Sequence, residues 1–202
     1  MVNDYKNVSI VDLAALIANH LHEHGIEVVL VGGLAVEIYS KNLYLTKDID
    51  MVNISYNEPA IINKAMDEIA FQKQGRVYVS QSTDVCVEFP TAPLAIGNQL
   101  IKETTVIHTP GGDIPILLAS DVVKDRLSAY FHWQDNPSMV QALSVMINHD
   151  IDLNEVKRFC VIEGRSEEYR FIEKLYRNAK QRRLASMVGL EEMMLEEIIK
   201  GL

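Results

Sequence analysis

The stretch Ile26 to Gly33, IEVVLVGG, constrains the fold more than any other part of the chain. An apolar run of strand length, Ile26 to Val31, reads as a strand covered on both faces. The diglycine that follows at once calls for a tight turn, and Leu34 to Tyr39 reads as a short helix beyond it. A buried strand turning directly into a helix requires a sheet with helices laid against it.

The neighbouring segments supply that sheet. Upstream, Val8 to His24 carries Leu13, Leu16, Ile17 and Leu21 at helical spacing, with Gly25 placed to end the helix. Downstream, Ile49 to Ile54 forms a second strand that begins near Lys47. Glu58 to Phe71 returns to helical period through Ile61, Ile62, Ala65, Met66 and Ile69. Arg76 to Ser80 and Asp84 to Phe89 are short β-prone runs able to pair through Gln81-Ser82-Thr83. Val106 to Thr109 and Ile114 to Leu118 flank Pro110-Gly111-Gly112-Asp113, a hairpin signal. From Ser120, read as an N-cap, the periodicity predicts helices over 120–133, 137–148, 152–163, 166–183 and 190–200. Strands and helices mix through residue 118 and helices alone follow. The fold class is therefore α+β: a mixed sheet with flanking helices over 1–118 and a helical C-terminal region over 119–202.

Charge and composition narrow the function. With 202 residues the chain can bury a substantial core without staples. A formal net charge of -9 provides no broad basic field for nucleic acid. The local exception is 157–183, which ends in Lys180-Gln181-Arg182-Arg183 and reads as a solvated helix face. No apolar run reaches the roughly 18 residues of a membrane span. The N-terminal MVNDYKNVSI lacks the basic and apolar regions of a signal peptide, so a cytoplasmic protein away from membranes is expected. Cys86 and Cys160 stand in apolar contexts without metal-like spacing and read as two buried thiols.

Three features carry candidate chemistry. Gly32 and Gly33 lack Cβ atoms, so their backbone N–H groups can approach an anion where a helix begins. Asp48 and Asp50 alternate with Ile49 and Met51, which puts both carboxylates on one strand face, roughly 7 Å apart. Like charges that close are relieved by a cation, and oxygen-only ligands suit magnesium or manganese. Asp84-Val85-Cys86-Val87-Glu88 is a further alternating strand whose Glu88 can join the pair, with Asp84 solvated or capping at its start.

Gly-Gly before a short helix, then Thr46-x-Asp48-x-Asp50, then Glu88 between Val87 and Phe89, resembles the polymerase-beta-type nucleotidyltransferase superfamily. Within it, the small antitoxin-like minimal nucleotidyltransferases of prokaryotes are the most similar group. The stretches 87–97 (VEFPTAPLAIG) and 125–142 (DRLSAYFHWQDNPSMVQA) resemble segments of uncharacterised proteins of that kind. The resemblance implies transfer of a nucleoside monophosphate from ATP or another nucleoside triphosphate to a hydroxyl acceptor, which could be protein, RNA or a small molecule. It implies two divalent ions, Mg2+ or Mn2+, held by Asp48, Asp50 and Glu88. Gly32, Gly33 and Thr46 would hold phosphates; independently of the resemblance, Lys124 or Arg126, on the helix that starts near Asp121, meets phosphate if that helix walls a cleft. A toxin-like protein partner fits the antitoxin-like group. Two departures point to the alternative, a nucleotidyltransferase scaffold that acts by binding a protein. Fourteen residues separate Gly33 from Asp48, and Tyr44 stands where many relatives carry arginine.

Other residues have plainer readings. Asp121, Asp125, Ser128 and His132 form a polar stripe that ties its helix to neighbours or lines a cleft, with Tyr130 and Trp133 suggesting a packing role. His20, His22 and His24 read as a solvated helix end without a third ligand nearby. Gly111-Gly112 reads as a hairpin turn. Met187, Leu190, Met193, Met194, Leu195, Ile198 and Ile199 form an apolar helix face that covers the core or meets a partner, a second copy included.

Overall fold

The computed structural model describes residues 4–201. Its first helix, α1 (Ile10–Glu23), starts where the Asp12 N–H donates to Ser9 Oγ at 3.1 Å. A side-chain acceptor at that position satisfies one of the N–H groups that a helix start leaves without a partner. Strand β1 (Val28–Val31) follows, and α2 (Gly32–Tyr39) begins at Gly32 itself. The diglycine is therefore the first turn of the helix rather than a loop before it.

Next come β2 (Asp48–Asn53) and α3 (Pro59–Glu68), the latter opened by a proline whose missing N–H costs nothing there. Then follow β3 (Gln72–Gln74), β4 (Val77–Val79), β5 (Cys86–Glu88), β6 (Ala95–Ile96), β7 (Gln99–Leu100), β8 (Thr104–Thr109) and β9 (Gly112–Leu117). Seven strands form a mixed sheet in the order β3-β4-β5-β2-β1-β9-β8. The hairpins β4–β5 and β8–β9 stand as the turn signals predict. The short strands β3, β6 and β7 carry no alternation that a sequence reading could detect.

The sheet has two unlike faces. Ile49, Met51, Val87 and Tyr78 are buried on one of them. The Tyr78 hydroxyl donates to Asn63 Oδ1 at 2.5 Å, so α3 covers this side. Helix α1 lies beside α3, where the Ala65 carbonyl meets His20 Nε2 at 2.8 Å. The other face carries Asp48, Asp50, Cys86 and Glu88.

Five helices complete the chain: α4 (Ala119–Trp133), α5 (Asn136–Asn148), α6 (Leu153–Ile162), α7 (Ser166–Arg182) and α8 (Met187–Gly201). Ser120 lies inside the first turn of α4 rather than at its cap. Helix α5 is buried without a break from Ser138 to Met146, and α4, α7 and α8 surround it. Helix α7 turns Tyr169, Ile172, Leu175, Tyr176 and Ala179 inward at intervals of three and four, as a one-sided helix must.

The chain divides into two compact units. One takes the chain up to Ala35, Thr46–Ala95 and Gln99–Leu118, and contains the seven-stranded sheet. The other takes the residues from Ala119 on, together with Val36–Leu45 and Ile96–Asn98. None of the described helices is long and apolar enough to cross a membrane.

Candidate active site: a three-carboxylate cavity

Strand pairing decides which acids meet. Strand β2 runs parallel to β5 in a register that sets Asp48 beside Cys86, Ile49 beside Val87 and Asp50 beside Glu88. Directly paired residues share a sheet face, so Asp48, Asp50, Cys86 and Glu88 all project to one side. Strand β4 sets Val77 beside Glu88 and extends the same face. These five residues line a small cavity of 190 Å³. On its other side β2 pairs antiparallel with β1, which puts Val31 opposite Asp50 and delivers Gly32 to the carboxylate.

That approach is close enough to exclude a side chain. A Cβ on Gly32 would lie 2.2 Å from Asp50 Oδ2, and the residue sits at φ +64°, where L side chains are strained. Gly33 follows in the first turn of α2, whose N–H groups lack acceptors within the helix. The spacing that marked the diglycine thus has two causes here, the backbone turn and the space that Asp50 takes.

The remaining sequence candidates are engaged by neighbours of their own. Thr46 Oγ1 accepts the Asp48 N–H at 3.1 Å, which fixes the entry of the chain into β2. Lys47 is exposed and its Nζ stands 3.4 Å from Asp84 Oδ2, with Asp84 outside β5 and nearly fully exposed. Lys124 belongs to the helical unit and is largely buried there. Its Nζ donates to Asp121 Oδ1 at 2.8 Å and to Glu155 Oε1. Burial pulls the Lys124 pKa down, but the hydrogen bonds from Asp121 and Glu155 outweigh it and leave it raised. Arg126 pairs with its neighbour Asp125 at 2.5 Å and reaches Gln141. The polar stripe of α4 therefore binds its own surroundings, including His132 to Glu163 at 3.1 Å. Trp133 does not take the packing role its size suggests. It is 81% exposed at the end of α4, and Phe131 fills the buried place.

One residue lining the cavity and one beside it carry no site signal in the sequence. Arg76 Nε stands 3.9 Å from Glu88 Oε1, a cation set at the rim by the β4–β5 pairing. Cys86, expected from its apolar context to be a buried thiol, is only half-buried and lines the cavity, because the alternation that turns Glu88 outward turns Cys86 with it. Cys160 is fully buried, and burial pushes its thiol up to about 12.

The histidines of α1 acquire a neighbour from α3. His20, His24 and Glu68 bring one ligand atom each within 4.8 Å of one another. The third ligand absent from the local sequence thus exists, but three of the four ring nitrogens already have hydrogen-bond partners. His20 Nε2 meets the Ala65 carbonyl, while His24 meets the His20 carbonyl and Glu68, each contact at 2.8 Å. On α8, Leu190, Met193 and Met194 face the core, whereas Val188, Leu195 and Ile199 are exposed along one side.

Set against known proteins, the chain matches no family model, and no curated protein sequence resembles it significantly. The residues and their geometry therefore carry the functional argument.

Proposed function

We propose that the chain is a metal-dependent nucleotidyltransferase that moves a nucleoside monophosphate from ATP or another nucleoside triphosphate to a hydroxyl acceptor. One observation carries this reading: Asp48, Asp50 and Glu88 line a single cavity, and Gly32 abuts the Asp50 carboxylate. The donor set fits divalent magnesium or manganese, because its three carboxylates offer hard oxygen ligands and outnumber the single Cys86 sulfur. Bound there, such ions supply positive charge for the triphosphate and acidify an acceptor hydroxyl.

The chain's own groups then have distinct tasks. Asp48, Asp50 and Glu88 would hold the cations. The first turn of α2 presents N–H groups toward phosphate oxygens. The acceptor oxygen bonds to the α-phosphorus and its proton leaves to solvent. The bond from α-phosphorus to the bridging oxygen breaks, and pyrophosphate departs with that electron pair.

The test uses label transfer. The protein is incubated with α-labelled nucleotides, magnesium or manganese, and cell extract, beside an Asp48→Ala/Asp50→Ala variant. Label on an acceptor with the parent alone is the expected result, and no label under any nucleotide or metal would sink the proposal. A binding readout is independent of the acceptor. Cys86 lines the cavity and Cys160 is buried, so a thiol reagent should modify Cys86 alone, more slowly once magnesium and ATP are added.

A second reading, a nucleotidyltransferase scaffold that works by binding a partner protein, draws on α8. Its exposed Val188, Leu195 and Ile199 form an apolar line. That reading expects unchanged partner binding in the Asp48→Ala/Asp50→Ala variant and its loss in a Leu195→Lys/Ile199→Lys variant, both measured by co-purification.

A further inference from the structure

A second pocket, in the helical unit, has the opposite charge. It is a cavity of 280 Å³ where the ends of three helices meet: Ser40 and Lys41 just after α2, Ile147 and Asn148 at the end of α5, and Ala179 to Ala185 at the end of α7. Lys41, Lys180 and Arg183 line it, and among the described residues no carboxylate does. In a chain with nine more acidic than basic charges, three cations collected without an acid in the wall is a pronounced local excess. Each comes from a position held by the fold. Lys41 and Arg183 adopt φ +55° and +53°, and the Arg183 N–H donates to the Lys180 carbonyl at 3.2 Å in the turn that ends α7.

The plainest account of these cations is that they answer the negative ends of the helices. The magnitudes do not close on that account. A helix end carries about half an elementary charge, so three ends offset only about half of three full positive charges. Lys180 also lies over the Tyr176 ring at 5.2 Å, and Asp150, outside the wall, acts on it. Among the described residues no ion pair holds Lys41 or Arg183. By contrast Arg182, adjacent in sequence, is tied to Glu196 at 2.9 Å. Asn148 keeps its amide on the Ser144 carbonyl, and Ser40 donates to the Glu37 carbonyl while accepting the Tyr44 N–H. The polar wall is thus internally satisfied and the surplus in the pocket is positive charge.

We propose that this pocket binds a phosphate group, with Lys41, Lys180 and Arg183 as its ligands. The cavity lies just below the usual size of sites that enclose a whole small molecule, so one phosphate or diphosphate of a larger or free anion is the matching occupant. Arginine supplies the forked donor geometry that phosphate oxygens take, and the two lysines supply point charges. The inference stands apart from the transferase reading, since it concerns residues of the other unit and predicts binding without divalent metal.

The test is a titration of the full chain in metal-free, low-salt buffer. One arm uses inorganic pyrophosphate, followed by calorimetry; the other uses a short fluorescent single-stranded RNA, followed by anisotropy. The parent is compared with a Lys41→Gln/Lys180→Gln/Arg183→Gln variant, and an Asp48→Asn/Asp50→Asn variant serves as the control for the acidic cavity. Loss of three charged donors should weaken binding by at least about tenfold while the control binds as the parent does. Pyrophosphate binding with that loss assigns the pocket to a small phosphate. RNA binding alone with that loss assigns it to a nucleic-acid backbone, with an affinity that falls as salt rises. If neither probe binds the parent, or the triple variant binds both as well as the parent does, the proposal is overturned. Circular dichroism checks that the triple variant is folded. Should it not be, the single variants Lys41→Gln and Arg183→Gln carry the same comparison, each at an exposed position.

Discussion

Asp121 and Glu155 in the helical unit hold Lys124 between them, whereas Asp48, Asp50 and Glu88 in the sheet unit share a cavity whose cation contact is long. At the first cluster the ammonium is 2.8 Å from Asp121 and largely sequestered from water. At the second, the Arg76 guanidinium stands 3.9 Å from Glu88 and its side chain is 88% exposed. No ion pair to the Asp48 carboxylate is present among the described residues. Where acids serve the fold, the chain supplies their counter-charge at hydrogen-bonding distance. At the cavity the Arg76–Glu88 pair is longer and open to water. That contrast separates a structural cluster from a candidate site more sharply than the number of carboxylates does.

The largest effect expected from this contrast is on activity. Asp48→Ala/Asp50→Ala should cut label transfer on the order of a thousandfold, the scale of several kcal/mol of lost charge stabilisation. It should leave the urea midpoint nearly unchanged or raised, since two repelling charges go with it. A variant that unfolds instead would make the cavity acids structural and erase the comparison.

Next in size is Lys124→Met, which strands Asp121 and Glu155 without their partner. A loss of about 2–3 kcal/mol in urea unfolding is expected, below the full cost of a deeply buried pair because Glu155 keeps partial contact with water. Replacing both acids by leucine in the same chain should restore much of it. A loss under about 0.5 kcal/mol would place Lys124 with ordinary surface pairs and release it for phosphate.

Gly32→Ala tests the approach of α2 to the cavity. Positive φ alone costs about 1 kcal/mol, and Gly75→Ala, at φ +65° with open space around it, should show only that. Gly32→Ala should cost more than Gly75→Ala and also abolish the magnesium-dependent protection of Cys86, because Asp50 must move. Equal costs with protection intact would detach the diglycine from the acids.

Glu197 extends the structural side of the comparison to acid. Lys174 at 2.6 Å and Lys200 at 2.8 Å hold its carboxyl down to about 2. A folded pKa below the unfolded one gives stability that is full at neutral pH. It drains as pH falls from about 4.5 toward about 2. Glu197→Gln should flatten that acid limb in urea midpoints measured across the window, and an unchanged limb would contradict the assignment. The smallest effect belongs to Arg76→Ala, expected within about 0.5 kcal/mol of the parent in stability, as exposed long pairs are. A larger loss would mean that Arg76 serves the fold through Glu88 rather than standing at the rim of the cavity.

Much of the fold was legible because its signals are local. The period of α1, α5 and α7, the alternation of β2 and the turn residues of β8–β9 each state their element within a dozen residues. The same-face placement of Asp48 and Asp50 follows from strand alternation alone. Strands β3, β6 and β7, two or three residues each, are too short to show a period, and only pairing defines them. Gly111 and Gly112 read as a turn, and Pro110-Gly111 forms it with Gly112 opening β9. The hairpin also brings them against α1, where added Cβ atoms would meet Asp12 at 2.6 Å and Asn19 at 1.8 Å.

The sequence by itself determined the α+β order of elements and the acids that could serve a common site. Only the tertiary structure decided which of them meet. The parallel register of β2 on β5 sets Glu88, not Asp84, beside Asp50, turns Cys86 into the same cavity and leaves Arg76 at its rim. Helix packing likewise gave Lys124 two acids, one of them 31 residues away, and gave His24 its neighbour Glu68, 44 residues away. Alternation is fixed by the geometry of one strand, whereas cross-strand neighbours depend on long-range pairing that no local pattern encodes.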